Sequence, residues 1–192
     1  SDTGSAGKHY LAGETVEHWR ALSLRNLWTV EDTVQLLKTG QNRFATVSGN
    51  MADVIHHSTQ HFTDKDLTAI ASYLKSLPAG KDDLPMPAVA ITPAKAPDTL
   101  YSSRGGLGYT QFCADCHRPD GGGVKGMFPP LNGNPGIVAA NPTTLLHITL
   151  TGWKTPQTAA HPRVYTMPGF ARLQDDEIAE ILSFVRSSWG NA

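Results

Sequence analysis

Cysteine is scarce in this sequence: the 192-residue chain has only two, and both lie in one five-residue segment. A structural zinc site needs four ligands, and the chain has no second pair of cysteines to complete one. A disulfide between Cys113 and Cys116 would close a very short loop and would stabilise the fold little. The scarcity therefore argues against both a zinc ribbon and a disulfide framework.

The sequence also lacks a strong charge imbalance and a long apolar run. Its formal net charge is −1, so charge gives no electrostatic reason to expect binding to nucleic acid or to an anionic membrane surface. No apolar run approaches the ~20 residues of a membrane span, and residues 1–8 show no signal-peptide pattern. We therefore expect a mature, trimmed or expressed chain without a transmembrane segment.

Several common catalytic motifs are absent as well. No glycine-rich phosphate motif follows a strand, no G-x-S-x-G occurs, and no nucleophile–base arrangement stands out. We therefore expect the functional residues of the chain to include its cysteine segment.

That segment, residues 113–117 (CADCH), has the pattern C-x-x-C-H, which is typical of covalent haem attachment. Two thiols at this spacing lie on neighbouring sides of a helical turn, so each can reach one vinyl group of the same porphyrin. The adjacent His117 can then supply a nitrogen ligand to the iron. A thioredoxin-like redox pair would need a βαβ context, which the neighbouring sequence does not show. We predict one haem c, bound covalently through Cys113 and Cys116.

A second iron ligand is predicted at Met167, within residues 165–170 (YTMPGF). A thioether on a constrained loop suits the second axial position of a low-spin haem. A lone methionine is more often a packing residue, but the adjacent Pro168 and the position just before the last predicted helix favour a ligand. Between the two ligands, residues 118–131 are rich in glycine and proline, which lets the backbone pass close to a flat cofactor.

These features together resemble a class I cytochrome c domain, over residues 104–189. The segments CADCH, FPPLNGNP, MPGF and SSWGN are most similar to the last haem domain of the multihaem cytochrome c subunits of membrane-bound alcohol, aldehyde and gluconate dehydrogenases. The resemblance implies a periplasmic setting. It also implies that a backbone carbonyl near Pro130 accepts the other ring N–H of His117.

Trp153 and Tyr165 border the predicted haem crevice. Either side chain could donate a hydrogen bond to a haem propionate, and the alternative is that both form an aromatic wall. We favour the wall.

The predicted fold class is all-α, in two unequal parts. Residues 104–192 are expected to form the cytochrome c domain, residues 79–103 a proline-rich linker, and residues 1–78 a truncated, haem-less cytochrome-c-like helical segment. Capping residues and apolar spacing predict five helices; these cover residues 29–40, 63–77, 103–116, 141–152 and 174–189. A polar loop is predicted around residues 50–52, and His57 and His61 are expected in an exposed loop.

An internal repeat underlies this division, because residues 62–76 parallel residues 173–187. By the resemblance, Met51 is the counterpart of a ligand to the middle haem of the three-haem subunits, and the matching attachment motif is expected upstream of Ser1. We therefore interpret Met51 as a vestigial ligand that packs or lies exposed at an edge. The chain is expected to be either a fragment of a larger subunit or a cytochrome whose first domain has decayed into a cap.

The function predicted from these observations is electron transfer, not catalysis, because two axial ligands leave the iron no open position. The expected donor is a periplasmic or membrane-bound dehydrogenase, and the expected acceptor is a quinone site, another cytochrome or a terminal oxidase. A haem enzyme with an openable iron site, such as a peroxidase or a sulfur-oxidising cytochrome, is the alternative. A third possibility is that the first half serves in docking.

Overall fold

The computed structural model describes residues 10–79 and 95–191. The helices are α1 (Val30–Thr39), α2 (Asn50–His57), α3 (Asp64–Ser76), α4 (Arg104–Phe112), α5 (Ala114–His117), α6 (Pro135–Val138), α7 (Thr143–Thr151) and α8 (Asp175–Ser187). The strands are β1 (Thr15–Val16), β2 (Trp19–Arg20), β3 (Trp153–Lys154) and β4 (Thr166–Met167). Among the residues that the structure describes, the strands form only two antiparallel two-residue pairs, and the predicted all-α class is confirmed.

The first half of the chain, the described residues 10–79, is built on the packing of α1 against α3, with α2 beside them. The hydroxyl of Thr29 accepts the backbone N–H of Asp32 at 3.1 Å and caps α1, and Gly40 ends the helix. Ile55 and Leu67 are completely buried in the core of this half. The capped helix predicted from residue 29 to residue 40 is therefore confirmed.

The predicted polar loop around residues 50–52 is wrong, because those residues form the first turn of α2. Ala52 and Ile55, three positions apart, are both buried and join the core of the first half. The apolar face is short, and the segment also carries Asn50, Asp53 and two histidines, so its sequence reads as polar. His57 is the last residue of α2, and His61 ends a 3₁₀ helix, Thr59–His61, so neither lies in an irregular loop.

The second half of the chain, the described residues 95–191, is built on the crossing of α4 and α8. Gly105 and Gly108 face α8, where a Cβ at Gly105 would lie 2.9 Å from the Cβ of Phe184 and would overlap the carbonyl oxygen of Glu180. Gly106 instead faces the 3₁₀ helix Asp98–Tyr101. Helix α8 therefore packs closely across two of the three glycines of α4.

The internal repeat predicted from the sequence appears as two helices of equal length. Each of α3 and α8 has 13 residues, and Leu67 of α3 and Ile178 of α8, both buried, occupy equivalent positions. Both helices begin with acidic residues in the first turn, which suits the positive end of the helix dipole.

Part of the predicted linker belongs to the second half. Residues 80–94 lie outside the described residues, but Leu100 is buried and packs with Tyr109 in the core of the second half. Leu100 lies in the 3₁₀ helix Asp98–Tyr101, which packs against α4. The folded second half therefore begins before residue 103.

The two halves contact each other directly through β2 and α7. The backbone N–H of Arg20 donates to the hydroxyl of Thr144 at 2.7 Å, and that hydroxyl donates back to the carbonyl of Arg20 at 3.2 Å. Within the described parts of the chain, no helix combines the length and the apolar character needed to cross a membrane.

Candidate haem site

A large cavity of about 830 Å³ runs between the two halves. Its lining is mainly apolar, and it includes side chains from α1, α2, α4 and the loops that follow α5 and α7. Six of the seven site residues predicted from the sequence line this cavity, and Pro130 does not. The six are Cys113, Cys116, His117, Trp153, Tyr165 and Met167. The fold therefore gathers at one cavity residues that lie more than fifty positions apart.

The two cysteines lie at the junction of α4 and α5. Cys113 lies between the two helices, and its carbonyl accepts the backbone N–H of His117 at 2.9 Å. Cys116 lies within α5. No disulfide joins them, and Cys113 is half-buried whereas Cys116 is exposed. Both thiols reach the cavity from the same short turn, as double attachment to one porphyrin requires.

The surroundings of the two thiols differ, and this predicts different reactivity in the haem-free chain. Burial, with a smaller effect of Cys116, raises the pKa of Cys113 to about 12, so at pH 8 this thiol is protonated and only its thiolate is nucleophilic. We expect iodoacetamide to alkylate Cys116 more than ~10-fold faster than Cys113, as measured by timed quenching and peptide mass spectrometry. The rates should converge in denaturant. Equal rates while far-UV circular dichroism shows a folded chain would contradict the described burial of Cys113.

His117 is buried at the end of α5 and is held by one hydrogen bond. Its Nδ1 lies 2.9 Å from the carbonyl oxygen of Pro129, so Nδ1–H donates and the lone pair of Nε2 remains for another ligand. Burial lowers the pKa of His117, while the bond to Pro129 opposes that shift. The imidazole is therefore neutral, which is the form that binds a metal.

The carbonyl that orients His117 belongs to Pro129, one residue before the predicted Pro130. The carbonyl of Pro130 instead accepts the side-chain amide of Asn134 at 3.0 Å. Gly123 brings the loop into place: its φ is +64°, and a Cβ there would lie 2.6 Å from the oxygen of Pro129. Only glycine fits so close to this carbonyl with that backbone conformation.

Met167 lies in β4, directly opposite Trp153 of β3. It is half-buried and packs against a small apolar cluster that includes Phe170 and Leu182. Phe170 in turn donates its backbone N–H to the carbonyl of Thr149 in α7 at 2.9 Å. The segment that carries Met167 is therefore tied to the end of α7.

Trp153 and Tyr165 both form part of the cavity wall. The indole N–H of Trp153 donates to the backbone carbonyl of Val47 at 3.3 Å, so it is already engaged within the protein. The ring of Tyr165 packs edge-on to Phe128, with centroids 5.6 Å apart. These contacts agree better with an aromatic wall than with donation to a propionate.

The first half of the chain contributes side chains to the cavity lining, which the sequence did not predict. Met51 and Trp28 line it together with leucines of α1, and both also pack against the core of the first half. Met127, on the loop after α5, is a further methionine in the lining. No local sequence pattern marks these residues, since they meet the haem-motif residues only through the packing of the two halves.

The donor set of the cavity fits haem c. An imidazole with a free Nε2, a thioether and two unpaired thiols share one mainly apolar cavity, and these are the groups that hold a covalently attached, low-spin haem. Among the described residues, no group of three or more histidine, cysteine and acidic side chains could hold a metal ion by itself. The geometry therefore suits a porphyrin iron better than a zinc ion.

Comparison with known proteins agrees with this chemistry. Residues 102–189 match the family described as Cytochrome c. Over 97% of the chain, the sequence is 39% identical to the cytochrome c subunit of a quinone-dependent alcohol dehydrogenase from Gluconobacter oxydans, covering 41% of that protein.

Two further relatives also match nearly the whole chain, over less than half of their own length. A gluconate 2-dehydrogenase cytochrome c subunit from Pantoea cypripedii is 38% identical over 96% of the chain, which covers 45% of the relative. A fructose dehydrogenase cytochrome subunit from Gluconobacter japonicus is 33% identical over 95% of the chain, which covers 43% of the relative. The chain therefore spans less than half the length of these curated relatives.

Proposed function

We propose that this chain, whose residues 102–189 belong to the cytochrome c family, relays single electrons from a dehydrogenase through one covalently bound haem c. The observation that carries the proposal is the meeting of Cys113, Cys116, His117 and Met167 at one cavity. When bound, haem c supplies a one-electron iron couple. The residues around it attach it, orient it and keep water away.

Each of the four residues has a distinct role in this proposal. Cys113 and Cys116 would hold the porphyrin covalently, as thioethers. Nε2 of His117 binds the iron, and Pro129 fixes the plane and the basicity of its ring through Nδ1. The sulfur of Met167 would be the second protein ligand to the iron, and a thioether ligand raises the reduction potential.

The proposed partners follow from the relatives, which are named as cytochrome subunits of alcohol, gluconate and fructose dehydrogenases. We propose a periplasmic or membrane-bound dehydrogenase as the electron donor, and a quinone site, a cytochrome or a terminal oxidase as the acceptor. The chain would act in the periplasm, at or near the inner membrane. Cys116 is exposed, so the attached edge of the haem would lie near the surface, where redox partners make small transient contacts.

The first test is the haem content of the mature protein. We expect one haem per chain, quantified as the pyridine complex, that remains with the polypeptide after extraction with acidified acetone. Cys113→Ala and Cys116→Ala should each leave a single thioether, and the double variant should release all haem on extraction, because the covalent links are then absent. Intact mass measures the same attachment independently.

Two outcomes would contradict the proposal. One is a colourless wild-type protein with two titratable thiols. The other is a haem that leaves the wild-type chain and the double cysteine variant equally well on extraction, since the cysteines would then play no part in holding it.

A further inference from the structure

Met167 lies in a hairpin made of β3, β4 and the loop between them, residues 153–167, whose strand pairing is short. Its strands β3 and β4 have two residues each, and an isolated two-stranded hairpin is only marginally stable. Met167 is itself only half-buried. The position of its sulfur therefore depends on what packs against the hairpin.

Trp153 connects this hairpin to the first half of the chain. It lies opposite Met167 in the strand pair, and its indole N–H donates to the carbonyl of Val47, 106 positions earlier, at 3.3 Å. The ring of Trp153 also lies edge-on to Trp19, with centroids 5.0 Å apart. One side chain thus joins the partner strand of Met167 to both β2 and the segment before α2.

Trp19 provides a fixed support for Trp153. Its ring packs closely over Gly49, where a Cβ would lie 2.7 Å from a ring carbon. On another side it lies edge-on to the ring of His147 in α7, at a centroid distance of 4.6 Å. Since Trp19 is held by both halves, it cannot shift without disturbing the contact between them.

The loop between β3 and β4 is anchored to the first half as well. Pro156 is buried, and a Cβ at Gly40 would lie 2.5 Å from its ring. The hydroxyl of Thr158, also buried, donates to the carbonyl of Thr39 at 3.3 Å. Two more contacts join His56 Nδ1 to the carbonyl of Gln157 at 2.6 Å and the N–H of Ala159 to the side-chain oxygen of Gln60 at 3.0 Å.

We propose that Trp153 is a positioning residue through which the first half of the chain sets the strength of the bond between Met167 and the iron. The inference rests on the proposed function, because it requires Met167 as the axial ligand. The first half then acts on the haem of the second half by holding the hairpin, with no contact between the first half and the iron needed. Loosening Trp153 weakens the sulfur–iron bond and lowers the reduction potential.

The test uses the mature haem protein and two variants on opposite sides of the contact. Trp153→Phe removes the indole N–H and keeps an aromatic ring, and Trp19→Leu removes the supporting ring. Loss of an outer-shell partner of a metal ligand typically costs ~10–100-fold in metal affinity or activity. We therefore expect cyanide, which competes with Met167 for oxidised iron, to bind about tenfold faster in either variant. The sulfur-to-iron charge-transfer band should weaken and the midpoint potential should fall.

The double variant shows whether the two tryptophans act through one contact. If they do, its effect on cyanide binding is smaller than the product of the two single effects. Trp189→Phe is the matched control, because Trp189 also donates its indole N–H to a backbone carbonyl, that of Pro119, at 3.1 Å, but packs against Tyr109 and Phe184. It should leave the charge-transfer band unchanged.

Two results would overturn the inference, and they are distinguishable. An unchanged band, potential and cyanide rate in both Trp153→Phe and Trp19→Leu, with a normal band in the wild type, overturns the positioning role alone. A wild-type protein without the band shows that Met167 is not an iron ligand, which overturns the proposed ligation and this inference with it.

Discussion

Replacing Met167 by alanine should lower the reduction potential and open the iron to external ligands. The thioether is a soft ligand that favours reduced iron, and axial ligands set haem potentials over a range of ~0.8 V. We expect a fall of about 0.1–0.3 V in Met167→Ala, as part of that range. Reduced Met167→Ala should bind carbon monoxide rapidly, whereas the wild type should bind it slowly. Redox titration and absorption spectra measure both effects.

Three further variants make the assignment specific to Met167. Met167→His should also lower the potential but keep the iron closed to carbon monoxide, because imidazole replaces sulfur. Met127→Leu and Met51→Leu are matched controls, since both methionines also line the cavity, and each should leave the potential near the wild-type value. If Met127→Leu opened the iron and Met167→Ala did not, the ligand would be Met127. Rapid binding of carbon monoxide to the wild type would favour a haem enzyme.

The residues of the candidate site could be predicted from the sequence because its chemistry depends on local patterns. The C-x-x-C-H segment and the Met-Pro pair can each be recognised from a few consecutive residues. In the structure, Cys113, Cys116, His117 and Met167 line one cavity. The helices α3 and α8 were predictable for a similar reason, since each begins with a strong capping signal and keeps an apolar stripe.

The carbonyl partner of His117 shows where local patterns stop being sufficient. In a run of two prolines, either carbonyl could face the imidazole, and a difference of one residue depends on the path of the preceding turn. That path is set by Gly123, which lies against the carbonyls of Phe128 and Pro129. The sequence predicts such a bond near Pro130 but does not determine that Pro129 makes it.

The packing of the two halves could not be predicted at all from local patterns. The bond from Trp153 to Val47 and the contact between Trp153 and Trp19 join residues that are more than 100 positions apart in sequence. Alpha-helix α2 was missed for a related reason: it is only eight residues long, and only Ala52 and Ile55 are buried. Tertiary contacts decide both features, and a single sequence does not encode them as a periodic signal.

Gly105→Ala should destabilise the second half strongly. A Cβ at this position would overlap the carbonyl oxygen of Glu180 and lie 2.9 Å from the Cβ of Phe184, so the backbones of α4 and α8 must move apart. Overpacking of this kind costs ~1–3 kcal/mol, and occasionally more. Alanine regains about 1 kcal/mol of helix propensity. The overlap with a backbone carbonyl puts this change at the upper end of that range, ~3 kcal/mol, so we expect a net loss of about 2 kcal/mol in the free energy of unfolding, measured by urea titration followed with far-UV circular dichroism.

Gly108→Ala is the matched control, because it makes the same substitution in the same helix. There the new Cβ would meet only the side chain of Ile181, at 2.6 Å from Cγ1, which can change rotamer while a backbone carbonyl cannot. Its loss of stability should therefore be clearly smaller than that of Gly105→Ala. Since α4 leads directly into Cys113, displacement of α4 should also lower the fraction of chains that carry haem in Gly105→Ala. Equal stability and equal haem content in the two variants would contradict this prediction. They would show that α4 and α8 can move apart at little cost, and that their crossing does not fix the position of Cys113.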